Sequence, residues 1–285
     1  LTKLKKKILI IGSSGYIGKK LSHYLNRYFS VYKLSRNIEK ENSKNIKCDI
    51  SKKNLLKKKI SKLPDFDFVI NLSGQIQIDS NKMKEDIYLG NKYIIECFKN
   101  TKTKIILFST TLVYGHSPNL ISSRTKPKPQ SKYAILKFKS EKLYHNKLTN
   151  FTILRIANIY DTKLTKKGLL KNLIDAIRNG KSVEINRMNS SRNYIHIEDL
   201  NRIVKKIILQ SYTPKIINVC NENITNYRIV KIFENIFNKK ISIKNLNKNR
   251  FQDPSLKFSV DEFIKKLNFE FRYNLISTIK KLYAK

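Results

Sequence analysis

Short apolar runs alternate along the chain with longer stretches whose apolar residues recur every three or four positions. The first run, 8–11, is too short to be anything but a buried strand. Ile17, Leu21, Tyr24, Leu25 and Tyr28 then keep helical spacing, and 31–34 reads as a second strand. Together they make a β-α-β unit of about 30 residues, the size a parallel crossover needs. The alternation continues with a short strand at 45–50, a lysine-rich helix over 51–63 opened by Ser51 as its cap, and a strand at 66–72. An amphipathic helix over 86–99 keeps Ile87, Asn91, Ile94, Ile95 and Phe98 near one face, and 104–108 is a fully buried strand. A helix over 131–148 and a strand at 151–156 follow.

This order predicts an α/β fold, a doubly wound parallel sheet followed by a smaller C-terminal α/β lobe. The expected division is a first domain over 1–157 and a lobe over 158–285, with segments around 183–219 returning to the sheet. Beyond 157 the pattern loosens. It predicts helices over 166–179, 198–211, 225–238 and 273–284, and strands near 183–185, 193–197 and 216–219. Ser259 and Glu262 have the spacing of a capping box.

The first strand ends at Gly12, and Gly15 and Gly18 follow at intervals of three. Such spacing is a tight strand-to-helix turn: Gly12 allows the turn, Gly15 admits a bulky anion to the backbone, and Gly18 lets helix and strand pack closely. The helix N-terminus then offers free N–H groups to a pyrophosphate. Ser14, Tyr16 and Ile17 of the same turn are expected beside that ligand. The second strand ends in Ser35-Arg36, where a carboxylate usually holds the ribose 2′-hydroxyl of NAD. A carboxylate repels a 2′-phosphate, whereas Ser35 and Arg36 bind one, so NADP(H) is favoured, with NAD(H) as the alternative. Asp49 and Ile50, at the end of the third strand, are placed beside the adenine. Leu72, Ser73 and Gly74, at the tip of the 66–72 strand, let a cofactor pass close by.

Composition changes the picture little. The 285 residues include 59 Lys and Arg against 21 Asp and Glu, a formal net charge of +38. Such an excess suggests nucleic acid or an anionic membrane. However, lysine far outnumbers arginine and spreads over every predicted helix, which argues against nucleic acid as the main partner. Three cysteines, Cys48, Cys97 and Cys220, match no metal spacing or disulfide framework. The run at 8–11 is too short for a signal peptide, and no stretch has the length of a spanning helix, so the expectation is a cytoplasmic protein without membrane insertion or bound metal.

Tyr133 and Lys137 stand four apart in a predicted helix and so share a face. An ammonium near a phenol favours the phenolate, which makes Tyr133 a candidate general acid and base. Lys137 can also hold ribose hydroxyls. Thr110 stands at the carboxyl end of a buried strand, the edge where open α/β sheets bind ligands.

The motifs Gly12-x-x-Gly15-x-x-Gly18, Phe108-Ser-Thr110-Thr-Leu-Val-Tyr-Gly115, Tyr133-x-x-x-Lys137, Leu154-Arg-Ile-Ala-Asn158 and Arg192-Asn-Tyr-Ile-His-Ile-Glu-Asp199 occur in the order and spacing of one family. Together the chain resembles the extended short-chain dehydrogenase/reductases, in their nucleotide-sugar epimerase/dehydratase branch, with a Rossmann-type sheet. The resemblance implies Thr110, Tyr133 and Lys137 as a catalytic trio. It implies Asn158 at the nucleotide-linked end of the substrate and Arg192 on its diphosphate, with His196 and Asp199 structural. It also implies hydride transfer to or from a sugar carbon, and a homodimer through the helices near 86–99 and 131–149. Family 4,6-dehydratases carry Asp-Glu directly after the catalytic threonine. Here those places hold Thr111 and Leu112, which disfavours a dehydratase. The cofactor reading tilts toward an NADPH-dependent keto-sugar reductase. An NAD-retaining 4-epimerase and a non-catalytic dinucleotide sensor or scaffold are the alternatives.

Overall fold

The computed structural model describes residues 5–74, 79–164, 168–245 and 255–284. The chain forms two compact units: 1–110, 132–155 and 204–217 make the first, and 111–131, 156–203 and 218–285 the second. The segment 111–131 thus clusters with the second unit, and the stretch returning to the first is 204–217, narrower than 183–219.

The main sheet has seven strands, beginning with β1 (Lys7–Ile11), β2 (Ser30–Ser35), β3 (Asn45–Lys47), β4 (Phe68–Asn71) and β5 (Lys104–Thr110). Strands Phe151–Ile156 and Ile216–Val219 complete it, and the spatial order is Ile216–Val219, Phe151–Ile156, β5, β4, β1, β2, β3. The pairings of β1 with β2 and β4, of β2 with β3, and of β4 with β5 are all parallel. Strand order reverses at β1, which places a crevice outside the carboxyl ends of β1 and its neighbours. All four residues of β4 are buried, as are six of the seven in β5, because helices cover both faces of a parallel sheet. One core under the sheet joins Leu9, Ile11, Leu34 and Val69 to Ile94, Ile95 and Phe98.

Three local expectations are corrected. Ser51 caps no helix. Its N–H and hydroxyl both donate to Asp49 Oδ1, at 2.9 and 2.8 Å, and the helix runs Lys53–Ile60. The helix expected over 86–99 starts earlier, because the Asp79 side chain accepts from Asn81 N and Lys82 N and caps a first segment, Ser80–Lys84. A widened π-helical stretch, Glu85–Leu89, follows before regular helix resumes at Gly90–Phe98. Near the C-terminus Asp261, not Ser259, caps the helix Glu262–Lys266 by accepting from Phe263 N at 3.0 Å.

The second unit is built from shorter pieces. Strands Asn158–Tyr160, Ser191–His196 and Glu222–Thr225 form a three-stranded sheet, parallel on one side and antiparallel on the other. Two further two-stranded pairs are parallel. Its core brings Leu173, Ile174 and Ile177 of the helix Leu169–Asn179 against Ile229 and Phe233 of the helix Asn226–Phe237. Asp199 pins a later loop to this unit by accepting from Arg272 N and Tyr273 N, while Arg202 neutralises it at 2.7 Å. His196 is fully buried and stacks on Tyr273 with centroids 3.8 Å apart.

Candidate active site

The turn after β1 is a backbone cradle. Gly12 has φ +80°, a conformation that L side chains avoid. A Cβ on Gly18 would come within 2.3 Å of the Gly12 carbonyl oxygen, so only glycine lets the helix Tyr16–Leu25 start this close to the strand. No side chain among the described residues makes a capping hydrogen bond at Gly15, which opens that helix, and a helix N-terminus is a favourable place for an anion. Beside this turn lies a cavity of about 350 Å³ lined by Ile11, Gly12, Ser14, Gly15, Leu34 and Ser35. Arg36, Asn37, Cys48, Ile50, Leu72, Ser73, Gly74 and Asp86 complete its wall. It sits at the strand-order reversal, where a dinucleotide fits: glycine backbone and a helix N-terminus for the pyrophosphate, polar groups at the end of β2 for a ribose.

Nine of the expected cofactor residues line this one cavity: Gly12, Ser14, Gly15, Ser35, Arg36, Ile50, Leu72, Ser73 and Gly74. Gly18 lies beneath the turn, and Tyr16 and Ile17 begin the helix. Asp49 is outside the lining, engaged with Ser51 and 4.0 Å from Arg36. Asp86 was not foreseen. It is buried, faces the cavity from the π-helical stretch, and takes both Nη groups of Arg36, at 3.0 and 2.9 Å. The only sequence signal for it was an acidic residue at the start of a predicted helix.

The helix Lys132–Lys147 carries Tyr133 and Lys137. Lys137 is buried, and its Nζ donates to the Ser73 carbonyl oxygen at 3.2 Å, tying this helix to the cavity loop. Asn71 in turn holds Ser73, accepting from its N–H at 3.0 Å and its hydroxyl at 2.6 Å. Asn71 is itself bonded to Asn91 and Tyr144, in a fully buried polar cluster. Burial pushes the Lys137 ammonium down to about 8, with the Glu141 carboxylate acting the other way. Burial also pushes the Tyr133 phenol up to about 12. The expectation that Lys137 lowers Tyr133 is therefore corrected: in the free protein desolvation sets the direction of the shift.

Thr110 ends β5 and is buried. Its neighbour Ser109 donates to Glu141 Oε1 at 2.5 Å, and Glu141 forms a buried pair with Arg155 at 2.7 Å. This ion pair, unforeseen from sequence, braces the strand end against the helix. Thr111, in the second unit, bonds to Asn193 Oδ1 at 3.1 Å. Asn158 and Arg192 meet at a separate cavity of about 100 Å³, with Tyr160, Leu170 and Tyr194. Arg192 Nε donates to Asn226 Oδ1 at 2.9 Å, and Asn158 Nδ2 to the Asn193 carbonyl at 3.0 Å.

Residues 8–220 match the model of the NAD dependent epimerase/dehydratase family. The chain belongs to that family, and its fold is that of the extended short-chain dehydrogenase/reductases. A dTDP-D-glucose 4,6-dehydratase of Dictyostelium discoideum is 27% identical over 81% of this chain. The match spans 62% of that relative's length. A GDP-6-deoxy-D-talose 4-dehydrogenase of Aggregatibacter actinomycetemcomitans is 26% identical over 80% of this chain and 78% of its own. Among solved structures, UDP-glucuronic acid 4-epimerase of Bacillus cereus, in complex with UDP-glucuronic acid and NAD, superposes with a TM-score of 0.80. It is 20% identical, and 98% of each chain is covered.

Proposed function

We propose that this chain transfers hydride at a sugar carbon of a nucleotide-activated sugar, with Tyr133 as general acid and base. The observation that carries the reading is the Lys137–Ser73 bond, because it fastens the Tyr133 helix to the loop of the dinucleotide cavity. When bound, the nicotinamide supplies the hydride acceptor or donor. In the reducing direction Tyr133, kept protonated by burial, gives its proton to the carbonyl oxygen as hydride reaches the carbonyl carbon. In the oxidising direction the phenolate takes that proton back. Lys137 compensates the phenolate and holds ribose hydroxyls, and Thr110 polarises the reacting oxygen. Asn158 and Arg192 hold the nucleotide-linked end, which their shared cavity supports.

Thr111 and Leu112 have no ionisable group to move protons on neighbouring carbons, so the reaction is epimerisation or keto-sugar reduction and not 4,6-dehydration. Two members of that class remain. Ser35-Arg36 favours an NADPH-dependent reductase, and the Aggregatibacter relative, a 4-dehydrogenase by name, supports hydride exchange at one sugar carbon. The pairing of Arg36 with Asp86 and the NAD in the Bacillus structure favour an NAD-retaining 4-epimerase. Releasing and identifying the copurified cofactor separates them: tightly held NAD supports epimerase, and empty protein that prefers NADPH supports reductase. No helix among the described residues is long and apolar enough to cross a membrane. The proposal includes a cytoplasmic setting, which suits three free thiols, and a homodimer through Gly90–Phe98 and Lys132–Lys147 that sedimentation tests.

A further inference from the structure

The cavity wall at the end of β2 poses a problem for a 2′-phosphate. Among the described lining residues Arg36 is the one cation and Asp86 the one anion, and they are bound to each other. The pairing is bidentate, the geometry in which a guanidinium is most fully satisfied by a carboxylate. The Asp86 side chain is 7% exposed and that of Arg36 39%, so the carboxylate is the buried partner. Turning Arg36 toward a phosphate breaks this bidentate pair with a buried carboxylate, which is costly. Asp49 lies 4.0 Å from the same guanidinium, so two carboxylates face this one cation. Among the described lining residues no other cation can replace Arg36. Asp86 reaches the wall because the helix widens to π geometry over Glu85–Leu89, a distortion that often marks a functional position.

We propose that Asp86 is the selectivity residue of the dinucleotide cavity: by clamping Arg36 it denies a 2′-phosphate its cation and selects a free 2′-hydroxyl. An acidic residue thus acts at the end of β2 although the strand itself carries none there, having been delivered from another element. Ser35, whose hydroxyl lies 2.5 Å from that of Ser14, remains at the strand end as a neutral partner for the ribose. The inference rests on the reading of the cavity as a dinucleotide site and adds which dinucleotide it takes.

The test is equilibrium titration of the purified, cofactor-stripped protein with NADH and with NADPH, followed by the fluorescence of the reduced nicotinamide. The wild type binds NADH more tightly by on the order of tenfold. Asp86→Asn, close in shape but uncharged, frees Arg36 and moves the NADPH-to-NADH affinity ratio toward NADPH by about tenfold or more. Adding Arg36→Ala removes that shift, which assigns it to the pair. Asp86→Ser serves as a second variant, with circular dichroism as the folding control. A wild-type preference for NADPH overturns the proposal, as does a ratio that moves less than about twofold in both folded variants. Binding of neither dinucleotide to the wild type overturns the cofactor reading itself, and the proposal with it.

Discussion

The two cavities are built from different materials. The one beside β1 is made chiefly of backbone: a glycine turn at positive φ, a helix N-terminus, and strand tips held by buried asparagines. The one around Arg192 is made of side chains, Asn158, Tyr160, Arg192 and Tyr194, set on short strands of a small sheet. Backbone chemistry is the same for every pyrophosphate, so the first cavity can be read from glycine spacing. Side-chain chemistry is particular to one substrate, and its arrangement depends on which strands pair. In the proposed reading the first cavity takes the constant reagent and the second the variable one.

Substitutions sharpen or break that contrast. Tyr133→Phe lowers kcat by about 10²- to 10⁴-fold with dinucleotide binding retained, as the loss of a positioned acid and base requires. Steady-state kinetics beside the fluorescence titration check it, and full activity in the variant removes Tyr133 from the mechanism. Gly18→Ala forces a Cβ against the Gly12 carbonyl and weakens dinucleotide binding by roughly tenfold or more, with about 1–3 kcal/mol lost from stability. Arg192→Ala raises KM for the nucleotide-sugar by roughly 10- to 100-fold and leaves dinucleotide affinity unchanged, since it removes one charge-assisted contact. If Arg192→Ala weakens the dinucleotide instead, the assignment of the two cavities is wrong.

The smallest effect is on stability against pH. Lys137 falls from an ordinary 10.5 to about 8 on folding, so burial penalises its charged form fully below pH 8. As pH rises from about 8 toward 10.5, the unfolded chain keeps a proton that the native one has shed, and stability rises. Tyr133, raised from 10.0 to about 12, has the opposite sign and lowers stability above pH 10. Lys137→Met is therefore more stable at neutral pH by on the order of 1–3 kcal/mol and loses the rise. Denaturant midpoints across that pH range measure both.

Much of the first unit was legible because its strands are continuous apolar runs and the helices Tyr16–Leu25 and Gly90–Phe98 keep an amphipathic period. β1, β4 and β5 fall within two residues of their expected positions, the largest differences being that β5 extends to Thr110 and β4 starts at Phe68. The helix Lys132–Lys147 was legible as an element, but its ion pair was not, since Glu141 and Arg155 are 14 residues apart and meet only through packing. Asp86 was hidden for a related reason: its partner is 50 residues away, and the widened helix turn that presents it has no periodic signature. In the second unit, strands as short as Leu120–Ile121 and Lys257–Phe258 pair across distant sequence and carry too few residues for a pattern. Of the helix expected over 166–179, residues 166 and 167 fall outside the described residues.

The most direct test of hydride transfer is to mix the dinucleotide-loaded protein with UDP-, GDP- and dTDP-sugars under single-turnover conditions and follow reduced nicotinamide by its near-ultraviolet absorbance. The account predicts that one nucleotide-sugar class changes that absorbance, and that Tyr133→Phe abolishes the change while keeping both ligands bound. An absorbance that no nucleotide-sugar or keto-sugar moves, or that moves equally in Tyr133→Phe, contradicts it.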